Sequence, residues 1–153
     1  MTLEATHGDG QAGRIVVGVD GSVPSQSALA WAIRQARLTG AAVEAVTAWH
    51  YPTVYGYPVP TAPQTGASEI AERVLATTIA AVQQDHPGER VEITPRVIEG
   101  NTAGVLLNES AGADLLVIGS RGYGGFTEAL LGSTGQHCIH HASCPVVVIR
   151  DSW

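Results

Sequence analysis

Residues 114–122 read Asp114-Leu115-Leu116-Val117-Ile118-Gly119-Ser120-Arg121-Gly122. An acid opens the stretch, the next four side chains are apolar without alternation, and glycine closes it. The run has the length of a strand, and unbroken apolarity predicts that both faces are covered, as in the middle of a parallel sheet. Downstream, a glycine-rich turn leads to a helix expected over about Thr127 to His141, then to a last strand, Pro145 to Arg150. Upstream, Asn101 or Thr102 can cap a helix that turns Ala103, Leu106, Leu107 and Ala111 inward and ends at Gly112. Val91 to Ile98 precedes it as a strand whose Pro95 points to a position near the sheet edge. A helix capped by Ser68 carries Ala71, Val74, Leu75, Thr78 and Val82 on one side and stops at His86-Pro87-Gly88. Ala42 to Ala48 and Arg14 to Asp20 are the remaining strands. Between them, a helix begins near Pro24, sets Leu29, Ala32, Ile33 and Ala36 on one face, and closes at Gly40. Five strands alternating with four helices predict a three-layer α/β sandwich with a five-stranded parallel sheet.

The chain has 153 residues, 44% of them hydrophobic, and 18 glycines, as expected for one domain over residues 14–150. Residues 1–13 read as a disordered tail, and residues 151–153 as the C-terminal end. Eight basic residues face fourteen acidic ones, for a net charge of −6, and all eight are arginines. Without lysine, Schiff-base catalysis and the Walker-type phosphate loop are excluded. Any bound anion must be held by backbone N–H groups, hydroxyls or arginine. The acidic balance and the lack of a basic cluster argue against nucleic-acid binding. No apolar run approaches the ~20 residues of a membrane-spanning helix. The first residues do not resemble a secretory signal, and two cysteines, Cys138 and Cys144, are too few for a disulfide framework. A reduced, cytoplasmic protein is expected.

Ligands of such sheets bind beyond the carboxyl ends of the strands, where the winding direction reverses. Those ends are Asp20 to Ser22, Ala48 to His50, Ile98 to Asn101, and Gly119 onward. The last carries Gly119-Ser120-Arg121-Gly122, nine further residues, then Gly132-Ser133-Thr134. Glycines at a strand exit let backbone approach an anion, and Ser133 and Thr134 can offer hydroxyls and N–H groups to phosphate oxygens. The same glycines could instead make only a tight turn and a close helix contact. Asp20, an acid at a strand end, could sit beside phosphate through Mg²⁺ or could cap the next helix.

The spacing Gly119-x2-Gly122-x9-Gly132-Ser133 resembles the universal stress protein family, in particular its ATP-binding branch. The resemblance runs from Arg14 to Arg150. It includes Val19-Asp20-Gly21-Ser22, Val97-Ile98-Glu99-Gly100, Ala113-Asp114 and Cys144-Pro145-Val146-Val147-Val148. It implies a Rossmann-like fold with strand order 3-2-1-4-5, and a site for ATP with Mg²⁺. In that site Asp20 lies near the ribose, phosphates or metal, Val19 is a further nucleotide-binding residue, and the Ala48 backbone contacts adenine. Gly119 and Gly122 line the ribose and phosphate path, with Gly132, Ser133 and Thr134 at the phosphates. Arg121 falls at a variable motif position, where it could neutralise phosphate or be solvated. The resemblance also implies a homodimer joined through strand 145–150.

Other candidates are weaker. His137 and His141 have a spacing compatible with metal ligation, with His140 and Cys138 beside them, but no glutamate follows His137 and there is no second ligand cluster. Cys138 and Cys144 lack the Cys-x-x-Cys spacing of a redox pair and read as apolar filling. Tyr51, Tyr55 and Tyr57, in the proline-rich stretch 49–66, could form a lid, an interaction surface or a plain loop. The expected function is a nucleotide-dependent signalling or stress-response module that binds ATP. The alternatives are a slow Mg-dependent ATP hydrolase and a dimeric interaction protein that binds no nucleotide.

Overall fold

The computed structural model describes residues 13–50, 53–54, 57–58, 66–88, 91–120 and 131–150. β1 (Arg14–Gly18) leads into α1 (Val23–Thr39), β2 (Ala42–Trp49), a small antiparallel pair β3 (Thr53–Val54) and β4 (Tyr57–Pro58), then α2 (Ala67–Asp85). β5 (Ile93–Glu99), α3 (Thr102–Glu109), β6 (Leu115–Gly119), α4 (Ser133–His141) and β7 (Val146–Ile149) complete the chain. The main sheet is wholly parallel, in the order β5-β2-β1-β6-β7, which is 3-2-1-4-5 counted over its own five strands.

Layering follows from strand alternation. Ile15, Val17, Val43, Ala45 and Val117 turn to one face, where they bury Leu29, Ala32 and Ile33 of α1 and Leu75 and Val82 of α2. Val16, Val46, Leu116 and Ile118 turn to the other face, against Ala103, Val105 and Leu106 of α3 and Cys138 of α4. Leu29, Ile33, Leu75, Leu106 and Leu116 are fully buried; each such side chain contributes about 1.5–3 kcal/mol of transfer free energy. The chain winds outward from β1 to β2 and β5 through α1 and α2, then returns and winds the other way from β6 to β7 through α4. Crossovers of one hand in opposite directions put their helices on opposite faces. The reversal lies between β1 and β6.

At the edges, register accounts for the sequence. Gly100 N–H donates to Trp49 C=O at 2.8 Å, so even-numbered residues of β5 face β2 and the donor that Pro95 lacks would have faced outward. Pro95 therefore removes no ladder bond. On β7, Leu116 N–H donates to Pro145 C=O and Ser120 N–H to Ile149 C=O. The peptide groups of Val146 and Val148 consequently lie along the open edge.

Several local expectations change. α2 begins at Ala67 after Gly66, with no side-chain cap, and Ser68 lies inside its first turn. In α3, Val105 is buried in place of Leu107, while Ala111 is exposed beyond the helix end. α4 starts at Ser133, after Gly132 in the extended conformation of a cap (φ −69°, ψ 165°), and the part of the expected helix from Thr127 to Leu130 lies outside the described residues. At α4 the boundary is decided by cap geometry, which hydrophobic spacing does not encode.

Candidate functional site

The crevice forms where β1 and β6 end side by side. Val17 pairs with Val117, which sets Val19 and Gly119 level at the ends of adjacent strands. Gly119 lies against the start of α1: a Cβ there would stand 2.7 Å from Pro24 Cβ and 2.8 Å from the Pro24 carbonyl carbon. Glycine is thus required for packing at this position, whatever the crevice holds.

Asp20 follows β1 and is exposed. It does not cap α1; Ser22 does, its hydroxyl accepting from Ser25 N–H at 3.4 Å. Asp20 Oδ1 accepts from Ser22 N–H at 2.9 Å and from the Ser22 hydroxyl, while Ser25 Oγ donates to Ser22 C=O at 2.9 Å. The carboxylate is therefore held over the turn, with Gly21 at φ 85° supplying the left-handed step. A single exposed carboxylate suits Mg²⁺ carried mainly by phosphate oxygens and water. Among the described residues no group of three or more His, Cys, Asp or Glu is placed to hold a metal.

On the far side of β6, Ser120 is buried and anchors the start of α4: Gly132 N–H donates to Ser120 C=O at 2.9 Å. Ser133 and Thr134 are thereby the first two residues of a helix that begins beside the end of β6. Gly132 C=O accepts from Gln136 N–H at 3.0 Å, whereas the amides at the helix start have no turn before them to donate to. Open donors and the positive end of the helix dipole favour an anion here. Arg121 and Gly122 lie outside the described residues, as do Tyr51 and Tyr55 and the side chain of Tyr57.

β2 contributes backbone. Ala42 N–H donates to Gly13 C=O and Val19 N–H to Val46 C=O, both at 2.8 Å, so even-numbered residues of β2 face β1. The Ala48 peptide groups therefore point past the end of β1, toward Val19 and Asp20. Thr47, buried, donates its hydroxyl to Val19 C=O at 2.8 Å, a contact sequence reasoning missed. The structure thus brings Val19, Asp20 and Ala48 to one end of neighbouring strands, and Gly119, Gly132, Ser133 and Thr134 to the adjoining end.

The remaining candidates lie elsewhere. The His137 and His141 rings meet at a tilt of 41°, with centroids 4.5 Å apart, on an exposed part of α4. Cys138 faces the core, fully buried, and burial pushes its thiol up from the ordinary range. The raised value keeps the thiol protonated and unreactive at neutral pH. Its stabilising effect is present below the pKa of the unfolded thiol and is lost as pH rises through the folded one. Alkylation of native protein at neutral pH is expected to label the half-buried Cys144 first, with Cys138 modified only on unfolding. Equal labelling rates by mass spectrometry would contradict that burial.

These features define a doubly wound α/β fold with a helix start beside the reversal of strand winding, the place where ligands of such sheets bind. The universal stress protein family model matches residues 12–150. A universal stress protein of Mycobacterium tuberculosis is 38% identical over 138 residues, which is 90% of this chain and 45% of the relative. The chain belongs to the universal stress protein family. It spans about half the length of the curated relatives it matches. Among solved structures, UspA from Lactobacillus plantarum superposes with TM-score 0.72 at 23% identity, covering 93% of this chain and 100% of that one. A universal stress protein in complex with cAMP gives 0.66 at 24% identity, covering 92% and 98%. One from Archaeoglobus fulgidus in complex with dAMP gives 0.64 at 23%, covering 90% and 97%. Among the described residues no helix is long and apolar enough to cross a membrane.

Proposed function

We propose that the chain binds an adenine nucleotide, ATP with Mg²⁺, in the crevice between β1 and β6, and acts as a nucleotide-dependent module of the stress response. The observation that carries this reading is the start of α4 at Ser133, tied through Gly132 to Ser120 at the end of β6. It offers phosphate a set of amides and two hydroxyls without lysine. The Ala48 peptide groups, turned past the end of β1, suit the hydrogen-bonding edge of adenine. Structural relatives in complex with cAMP and dAMP support an adenine nucleotide as the ligand class. Val19 and Gly119 form the walls between the base and the phosphates, and Gly122 and Arg121 belong to the same motif. Asp20 would hold Mg²⁺, which would offset phosphate charge.

Binding is favoured over hydrolysis because Asp20 Oδ1 is engaged by Ser22 and is not poised as a general base. Asp20→Ala is expected to weaken Mg-ATP binding about tenfold, corresponding to the loss of one charge-assisted contact. Calorimetry is the test, and unchanged affinity removes Asp20 from the site. Rapid phosphate release abolished by Ser133→Ala would overturn the binding-module reading in favour of the hydrolase.

The open edge of β7, with the Val146 and Val148 peptide groups along it, supports a homodimer joined there. Light scattering at micromolar concentration is expected to give twice the chain mass; the monomer mass would contradict it.

A further inference from the structure

Where the β1–β2 ladder stops decides what the Ala48 backbone can do. The register runs Ala42 N–H to Gly13 C=O, continues through Val19 N–H to Val46 C=O, and would next join Ala48 N–H to Val19 C=O. That step is not made. Val19 C=O accepts the Thr47 hydroxyl at 2.8 Å, and the Ala48 amide has no hydrogen-bond partner among the described residues. Thr47 is 7% exposed and Val19 3%, so the carbonyl lies in a buried setting where it must find a donor.

We propose that Thr47 is a positioning residue: its hydroxyl satisfies the Val19 carbonyl, ends the ladder one step early, and keeps the Ala48 amide open to a ligand. Val19 C=O needs one donor, and two lie within the reach of the register. The side-chain donor on Thr47 spares the amide. A valine at position 47 has nearly the same shape but no hydroxyl, so the Val19 carbonyl then draws in the Ala48 amide and the ladder closes over the slot. Serine keeps the hydroxyl and keeps the slot open. This inference rests on the reading of the crevice as an adenine-nucleotide site, and it adds the residue that prepares the base-binding edge.

The test measures exchange of the Ala48 amide by NMR in nucleotide-free protein, with AMP affinity by calorimetry, for wild type, Thr47→Val and Thr47→Ser. Thr47→Val is expected to slow Ala48 exchange about tenfold and to weaken AMP binding about tenfold, and Thr47→Ser to restore both. A purely structural role would lower thermal stability without slowing exchange at Ala48. Should Thr47→Val not fold, Thr47→Ala reads the same amide. Unchanged Ala48 exchange in the variant overturns the proposal. Wild-type protein that binds no AMP or ATP overturns the nucleotide reading, and slowed exchange in Thr47→Val would still establish the ladder stop.

Discussion

Gly119→Ala is expected to lower stability by about 1–3 kcal/mol, the usual range for forcing a methyl group into a filled site. The added Cβ would meet Pro24 Cβ at 2.7 Å and its carbonyl carbon at 2.8 Å. Pro24 lies in the first turn of α1, and its ring fixes the backbone there, so the helix start and the end of β6 must separate. Near 150 residues, each kcal/mol shifts the melting midpoint by about 2–4 °C, giving a fall of roughly 4–8 °C for a 2 kcal/mol loss. Because both elements border the crevice, nucleotide affinity should fall as well. An unchanged midpoint would contradict the packing described here; a lowered midpoint with full affinity would place the ligand away from Gly119.

Arg14→Ala is expected to produce a loss of similar size with no effect on binding. Arg14 lies at the other end of the sheet. Its guanidinium donates to Glu109 C=O and Ala111 C=O, both at 2.8 Å, and to Glu44 Oε2 at 3.1 Å. The first two bonds serve carbonyls at the end of α3 that have no helical donor, so one side chain joins β1, β2 and α3. Charge-assisted bonds of this kind contribute about 1.5–3 kcal/mol each when buried. The Arg14 side chain is 32% exposed, so the total is about 2 kcal/mol rather than their sum. The midpoint should fall by roughly 4–8 °C while nucleotide affinity stays at the wild-type value. Lysine should rescue little, since it lacks the planar fork that reaches three acceptors. Loss of affinity in parallel with stability would mean that the two ends of the sheet are coupled.

The contrast between these positions shows what was legible in the sequence. Leu115 to Ile118 and Ile15 to Val17 are unbroken apolar runs because their strands are covered on both faces, so the central sheet could be read directly. Pro95 correctly marked an edge, since only there can the missing donor face outward. Helix starts were less legible. Ser22, Asp20 and Ser25 form one connected turn, and which of the three caps α1 depends on backbone angles rather than residue type. The start of α4 at Ser133 depends on Gly132 taking an extended conformation, which residue type alone does not reveal.

Site residues divide in the same way. Gly119 stands out as part of a glycine motif, but its contact with Pro24 joins residues far apart in the chain and leaves no local pattern. Thr47 carried no signal, because a threonine in a strand is ordinary and its role depends on where the neighbouring strand ends. The missing lysine did carry information: it left backbone amides, hydroxyls and arginine as the only means of holding an anion, and the start of α4 supplies the first two.

The most direct test of the nucleotide reading is calorimetric titration of the purified protein with Mg-ATP, repeated with Asp20→Ala and with Ser133→Ala. One nucleotide is expected to bind per chain, with affinity reduced in both variants while each retains its fold. No binding of ATP, ADP or AMP by folded wild-type protein, even at millimolar nucleotide, would contradict it and favour a member of the family that works without a nucleotide.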